Sequence, residues 1–198
     1  MEMSQNIEEK IAYGMEKLAG VNRVLLWEVA KQEKLSPIQI QFLTFINSHQ
    51  EGFCTVSNLA KEFDLREATV SEAIKSLQNK GFISKERKKE DRRIFILRLT
   101  ESGKKLSNKV SVWSHSLEEH IGQFTSEKKE KILLYLMELL KSLQKAGIIN
   151  VAKMCLTCAN FKRDAHPGST KPHHCKFMDS SMANSELTID CKEQHCEE

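Results

Sequence analysis

The chain has 198 residues, 40% of them hydrophobic and 29% charged, which is an ordinary composition for a soluble globular protein. Its 3 prolines and 8 glycines are too few for an all-β protein, which needs a turn about every ten residues. No apolar run approaches the ~18 residues of a membrane span, and residues 1–5 lack the basic and apolar pattern of a signal peptide. We therefore expect a cytoplasmic protein with no membrane partner.

Positive charge is concentrated in the middle of the chain. The net charge is only +3, yet residues 55–105 contain thirteen Lys and Arg against eight Asp and Glu. Such a segment is typical of proteins that bind the phosphate backbone of a nucleic acid. A solvated basic loop is the alternative explanation.

Apolar residues at spacings of three and four predict a long first helix over residues 5–33. The stripe consists of Ile7, Ile11, Met15, Leu18, Val21, Leu25 and Val29. A helix of this length is about 40 Å long, which is more than one small core covers. We therefore expect it to pack against a second subunit.

A second, apolar helix is predicted next, and two short helices follow it. Ser36 and Pro37 are an N-cap and a first-turn proline, and the helix that they begin is expected to stop near Glu51. Thr55 begins a short helix, and a brief turn leads to another over residues 67–79, with Gly81 as its stop signal. This is the helix-turn-helix arrangement, over residues 55–80.

Two β-prone runs around a charged loop predict a hairpin over residues 82–99. Thr100 then caps a helix expected to run to about Gly122, and Thr125 caps a last, strongly apolar helix closed by Gly147. The apolar residues at helical spacing in this last helix are Ile132, Leu133, Leu136, Leu139, Leu140 and Leu143. The predicted fold is therefore mainly α, a winged helix-turn-helix with a small β-hairpin wing.

The order of elements and two motifs resemble the MarR family of bacterial regulators. The motifs are Asp91-Arg92-Arg93 followed by Leu99-Thr100-Glu101-Ser102-Gly103, and the stretch 69–83, which is similar to the family's recognition helix and its exit into the wing. The resemblance implies a regulator, not an enzyme, that binds double-stranded DNA as a homodimer formed through its long N- and C-terminal helices. It also implies a small molecule or an oxidant as effector.

The candidate DNA-binding residues lie on the second helix of the helix-turn-helix and on the wing. N-terminal residues of a recognition helix face base edges in the major groove, and Arg66 is long enough to bind guanine O6 and N7. Basic side chains at a hairpin tip suit a narrow minor groove. In the family the arginine matching Arg93 reaches DNA and the aspartate matching Asp91 orients it. The candidates are Arg66, Glu67, Ala68, Thr69, Ser71, Glu72 and Lys75 on the helix, and Arg87, Lys88, Lys89, Asp91, Arg92 and Arg93 on the wing.

Five of the six cysteines lie in the last 44 residues, where apolar periodicity has ended. Clustering of this kind in a cytosolic chain favours metal binding over disulfides. The expected ligands are Cys155, Cys158, Cys175 and Cys191, a tetrahedral all-sulfur set suited to zinc. An iron–sulfur cluster and free redox thiols are alternatives, and His174, His195 or Cys196 is able to replace one ligand.

We therefore expect two parts: a winged-helix DNA-binding and dimerisation domain over residues 1–150, and a cysteine-rich metal-binding tail over residues 151–198. A competing hypothesis is a redox or electron-transfer protein whose active part is the tail. The basic wing favours the regulator, and the sequence has neither a glycine-rich phosphate loop nor a nucleophile motif. Trp27, Trp113, His115 and Phe124 are candidates to line an effector pocket, although aromatic residues on helices are more often part of a core.

Overall fold

The structure is a computed structural model that describes residues 6–87, 93–111, 115–149 and 153–191. Within these ranges the helices are α1 Ile7–Glu33, α2 Pro37–Ser48, α3 Val56–Glu62, α4 Glu67–Asn79, α5 Glu101–Val110, α6 His115–Gly122 and α7 Ser126–Lys145. The strands are β1 Ile83–Arg87, β2 Phe95–Leu99, β3 Phe161–Lys162, β4 His173–Cys175 and β5 Ser180–Met182. β1 and β2 form one antiparallel hairpin, and β3, β4 and β5 form a second antiparallel sheet in that order.

Side-chain caps begin the helices where they are predicted. Ser36 and Gln39 form a reciprocal capping box at α2, with Ser36 Oγ accepting from the Gln39 backbone N–H at 3.3 Å. Thr100 Oγ1 accepts from the Gly103 N–H at 3.0 Å, and Thr125 Oγ1 accepts from the Lys128 N–H at 3.4 Å. These bonds satisfy N–H groups that a helix start otherwise leaves without partners.

The prediction that the second helix runs to Glu51 is wrong by one turn. α2 ends at Ser48, His49 has extended backbone angles, and Glu51–Phe53 is a separate 3-10 turn. The Ser48 hydroxyl donates to the Phe45 carbonyl at 3.1 Å. A side chain that bonds to the backbone in this way competes with continued helical bonding.

Of the single helix expected from Thr100 to Gly122, the structure describes α5, up to Val110, and α6, from His115. α5 ends at Val110, and Ser111 donates its hydroxyl to the Asn108 carbonyl at 2.9 Å. Residues 112–114, including Trp113, lie outside the described residues.

The chain divides into two compact units, one containing Met1–Val56 with Glu67–Glu119 and the other containing Ser57–Arg66 with His120–Glu198. The core of the first unit consists of side chains from α2, α4, β2 and α5 that are fully buried. They are Ile40, Phe42, Leu43, Val70, Ile74, Leu77, Leu97 and Val110. The Leu97 N–H donates to the Cys54 carbonyl at 2.8 Å, so β2 is attached to the segment before α3.

The stripe predicted on α1 is not the face that α1 buries within the first unit. Leu26 and Ala30 are buried, whereas Leu18 and Val21 of the predicted stripe are 54% and 49% exposed. Ile7, Tyr13, Val24 and Trp27 are exposed as well. α1 therefore presents a long apolar surface that the rest of its unit does not cover.

The second unit joins α7 to the cysteine-rich tail. Met137 of α7 is fully buried in a cluster with Met154, Leu156, Met182 and Leu187 of the tail. The apolar residues of the tail therefore pack against α7, although the tail has no apolar periodicity of its own. Among the described helices, none combines the length and the hydropathy needed to cross a bilayer.

Candidate DNA interface and cysteine cluster

α4 has one buried face and one exposed face, as its apolar spacing predicts. Val70, Ile74 and Leu77 are fully buried, and they recur every three or four residues. The candidate base-reading residues lie on the opposite side. Arg66, Glu67, Ala68, Thr69, Glu72 and Lys75 are exposed, and Ser71 is half-buried.

The end of α4 is tied to the start of α5 by a compact set of hydrogen bonds. Gly81 has a left-handed φ of 76°, which lets the chain leave the helix and enter β1. Its carbonyl accepts hydrogen bonds from the Thr100 hydroxyl at 2.7 Å and the Ser102 hydroxyl at 2.9 Å. The Thr100-Glu101-Ser102-Gly103 motif therefore has a structural role, which is to hold the recognition helix and the base of the wing in a defined relation.

The wing is a regular two-stranded hairpin whose base is anchored by charge. Ile83 pairs with Leu99, and Arg87 pairs with Phe95 at the far end. Arg98 Nη1 lies 2.5 Å from Glu51 Oε1, and its Nε lies 2.9 Å from Glu86 Oε2. Because Glu51 precedes α3 and Glu86 lies on β1, one guanidinium joins three segments of the chain. No sequence signal identifies this group in advance, since a single Arg in a strand belongs to no motif.

Exposed arginines border the tip of the wing on both sides. The Arg87 guanidinium lies 5.6 Å from the centroid of the Phe95 ring, and both Arg87 and Arg93 are exposed. The candidates Lys88, Lys89, Asp91 and Arg92 lie outside the described residues. The Asp91–Arg93 relation that the resemblance implies therefore stays a prediction.

The predicted cysteine ligands come from three segments of the tail. Cys155 and Cys158 flank a 3-10 turn, in which the Cys158 N–H donates to the Cys155 carbonyl at 3.1 Å. Cys175 ends β4, opposite Phe161 of β3. The Cys191 N–H donates to the Lys153 carbonyl at 2.6 Å, which brings the fourth predicted ligand back to the segment that precedes Cys155.

The Cys155 thiol interacts electrostatically with all three other cysteines. Burial raises its pKa above the ordinary value, a hydrogen bond from the Thr188 N–H lowers it, and the charges of Cys191, Cys175 and Cys158 raise it further. That Thr188 N–H lies 3.3 Å from Cys155 Sγ. In the part of the chain that is described, no three His, Cys, Asp or Glu side chains already form a group arranged as ion ligands.

The histidines of the tail make polar contacts of their own. His173 is buried, with Nδ1 accepting from the Asp164 N–H at 3.2 Å and Nε2 lying 2.9 Å from Asn184 Oδ1. Since Nδ1 accepts, the proton of neutral His173 lies on Nε2 and is donated to Asn184. His174 contacts His166 at 3.2 Å, and His195 and Cys196 lie outside the described residues.

Cys54, which the sequence left without a role, is a buried core residue of the first unit. It is 1% exposed, and its thiol donates to the Gln50 carbonyl at 3.4 Å. Burial, with a smaller contribution from the charge of Glu51, raises its pKa from 9.0 to about 11. A thiol that stays protonated in this way is inert toward metals and oxidants near neutral pH.

Comparison with known proteins matches this geometry to a family and a fold. Residues 25–110 match the family described as transcriptional regulator SarA/Rot. An uncharacterised HTH-type transcriptional regulator of Bacillus subtilis, YdgJ, is 33% identical over 97 residues, which are 49% of this chain and 56% of YdgJ. The chain therefore spans only a little over half the length of that relative.

Two solved structures have the same fold as the larger part of this chain. Staphylococcus aureus MepR in its DNA-binding conformation has a TM-score of 0.61 at 24% identity, covering 68% of this chain and 98% of MepR. Streptococcus pneumoniae FabT in complex with DNA has a TM-score of 0.59 at 21% identity, covering 70% of this chain and 99% of FabT. At these identities the likeness concerns the fold, which is the winged helix-turn-helix that the sequence predicts.

Proposed function

Because residues 25–110 match the family described as transcriptional regulator SarA/Rot, we propose that the chain is a winged-helix transcriptional regulator that binds a roughly palindromic operator as a homodimer and alters transcription. Regulators of this kind are not enzymes. A protein with this activity works on the bacterial chromosome, so the cytoplasm is its proposed location.

The observation that carries this proposal is the exposed polar face of α4 beside a basic wing. α4 buries its apolar row and leaves Thr69 and Lys75 at the surface, and Arg66, which directly precedes α4, is exposed as well. In the proposed complex the N-terminal half of α4 enters the major groove, and Arg87 and Arg93 follow the backbone into the minor groove. A two-fold dimer places two such helices about one turn of DNA apart.

The proposed dimer uses the uncovered apolar face of α1. Val24 and Trp27 are more than half exposed and line an open cleft with Arg23, Glu28, Lys31 and Leu35. An exposed apolar surface of this kind usually marks an interface.

We also propose that a small molecule or an oxidant acts as effector, with the Trp27 cleft as the candidate binding place for a small apolar molecule.

The proposed metal centre consists of Cys155, Cys158, Cys175 and Cys191. Its support is the donor set of four thiols, which suits zinc, and the Thr188 N–H that bonds to Cys155 Sγ. A backbone N–H on a ligating sulfur is the kind of outer contact that metal sites use to orient their ligands. Zinc would supply a structural, redox-inert crosslink between the three segments.

Salt-dependent binding to duplex DNA tests the regulatory function. We expect log affinity, measured by fluorescence anisotropy, to fall steeply and linearly with log salt, because each neutralised phosphate releases counterions. Footprinting on genomic fragments would then locate the operator. Absence of binding at low salt would contradict the proposal.

Metal analysis with an absorbance spectrum of anaerobically purified protein tests the nature of the tail. Colourless protein with one zinc per chain is the expected result. A brown protein containing iron would instead favour the alternative, a redox or electron-transfer protein whose active part is the tail.

A further inference from the structure

One side of the tail covers an apolar face of α7. Met137 is fully buried, and Leu133, Leu134 and Leu140 pack against the same cluster of tail residues. The tail's contribution comes from Met154, Leu156, Phe161, Met182 and Leu187. At the edge of this contact Arg163 Nη1 lies 3.2 Å from Glu138 Oε1 of α7.

The segments that cover α7 are the segments that carry the cysteines. Cys155 is itself a member of the buried cluster, and Cys175 packs against it. Leu156 follows Cys155 directly, and Leu187 precedes Thr188, whose N–H and carbonyl both bond to Cys155. Two of the residues that contact α7, Leu156 and Leu187, are therefore linked directly to Cys155 through the backbone and its hydrogen bonds.

The sheet of the tail is too small to hold this arrangement alone. β3 has two residues, and β4 and β5 have three each. Short strands of this kind are marginal without further packing or a crosslink. A part of the chain this small is normally stabilised by a disulfide, a metal or a larger partner surface.

We propose that metal binding at the four cysteines and docking of the tail on α7 are one coupled equilibrium, so that metal occupancy decides whether this face of α7 is covered. The inference rests on the proposed metal site and adds its regulatory consequence. Coupling of this kind is reciprocal, since each event stabilises the other by the same free energy. Loss of the metal uncovers α7, and loss of the α7 contact weakens metal binding.

Two neighbouring residues of α7 provide a matched test. Met137 is fully buried against the tail, whereas Leu136 is 36% exposed. With reduced full-length protein and a competing chelator, we expect Met137→Ala to weaken Zn²⁺ affinity by about tenfold or more, because it leaves a cavity at the docking surface. Leu136→Ala should bind Zn²⁺ like the unaltered chain. An equal loss in both variants, or in neither, overturns the coupling.

Hydrogen–deuterium exchange on the unaltered protein tests the other direction and does not depend on a variant's folding. Removal of Zn²⁺ by chelation should accelerate exchange in peptides covering residues 129–145, and re-addition should reverse it. If the protein retains one zinc and exchange in α7 does not respond to its removal, the coupling is wrong and the metal site stands. If no metal is retained at all, both proposals fail.

Discussion

At the scale of single residues, close backbone approach explains the glycine of the motif after the wing. A Cβ built on Gly103 would lie 2.0 Å from the Phe82 carbonyl oxygen and 2.9 Å from its carbonyl carbon. The Phe82 carbonyl also accepts the Thr100 N–H at 3.0 Å, so it is not free to move aside. Glycine is required at this position because α5 meets the exit of α4 there.

Replacing Gly103 with alanine should therefore destabilise the first unit. We expect a loss of about 1–3 kcal/mol or more in the free energy of unfolding, as for other overpacked positions. Urea denaturation followed by circular dichroism measures it. Gly52→Ala is the control, because a Cβ at Gly52 meets nothing within 4 Å. Equal free energies of unfolding for the two variants would show that the Phe82 carbonyl leaves room for a Cβ at position 103.

Because the Cys54 thiol is buried, we expect the free energy of unfolding to fall in alkaline solution. Its pKa is raised by burial from 9.0 to about 11. Between these values the unfolded chain has released the thiol proton and the folded chain has kept it, so unfolding becomes easier as pH rises. The stability present below pH 9 should fall by about 2–3 kcal/mol as the pH rises to 11.

Comparison with Cys54→Ser isolates this effect, because the hydroxyl does not titrate in that range. The fall in the free energy of unfolding from pH 8 to pH 11 should be smaller in the variant. Parallel pH profiles for the two proteins would show that another group causes the loss. Peptide mapping after iodoacetamide treatment should also find Cys54 unmodified in the native protein at pH 8.

At the scale of elements, the wing has an anchored base and an exposed arginine beside its tip. Arg98 ties the base to Glu51 and Glu86, and Leu97 is buried beneath it. Arg93 is exposed before β2. A side chain that is exposed in this position is accessible to DNA.

Arg93→Ala should weaken DNA binding on all sequences and leave the melting temperature unchanged. Removal of one phosphate contact should lower the slope of log affinity against log salt by about one. Anisotropy titrations at several salt concentrations provide the measurement. Arg93→Lys is the matched variant, because it keeps the charge and should keep most of the slope. An unchanged slope in Arg93→Ala would exclude this residue from the interface.

At the scale of the whole molecule, the large apolar surface of α1 predicts self-association. Trp27 is 58% exposed on the face that the first unit leaves uncovered. A glutamate at this position would have to be buried without a partner in a symmetric interface, which is costly. We therefore expect Trp27→Glu to shift the protein from dimer to monomer in sedimentation velocity. Operator affinity should fall with it.

The control for this substitution is Lys10→Glu, a charge change at an exposed polar position of the same helix. It should remain dimeric. A Trp27→Glu protein that sediments as a dimer would show that the subunits meet through another surface.

Local sequence patterns are sufficient to predict the elements that depend on local chemistry. Caps at Ser36, Thr100 and Thr125 and the apolar row of α4 are all short-range patterns, and each has the predicted place in the structure. The fold class followed from their order. The candidate DNA-binding residues on α4 can be predicted in the same way, because helical periodicity assigns one face of the helix to the core and leaves the other exposed.

The contacts between segments that are distant in sequence become visible only in the folded structure. Met137 was not in the predicted row of α7, yet it is the residue that α7 buries completely, because its partners come from a tail with no periodicity. The ion pairs of Arg98 join segments 47 and 12 residues away, and no local pattern encodes such a choice. Local rules specify which face of a helix is apolar, but the partner of that face depends on how the whole chain packs.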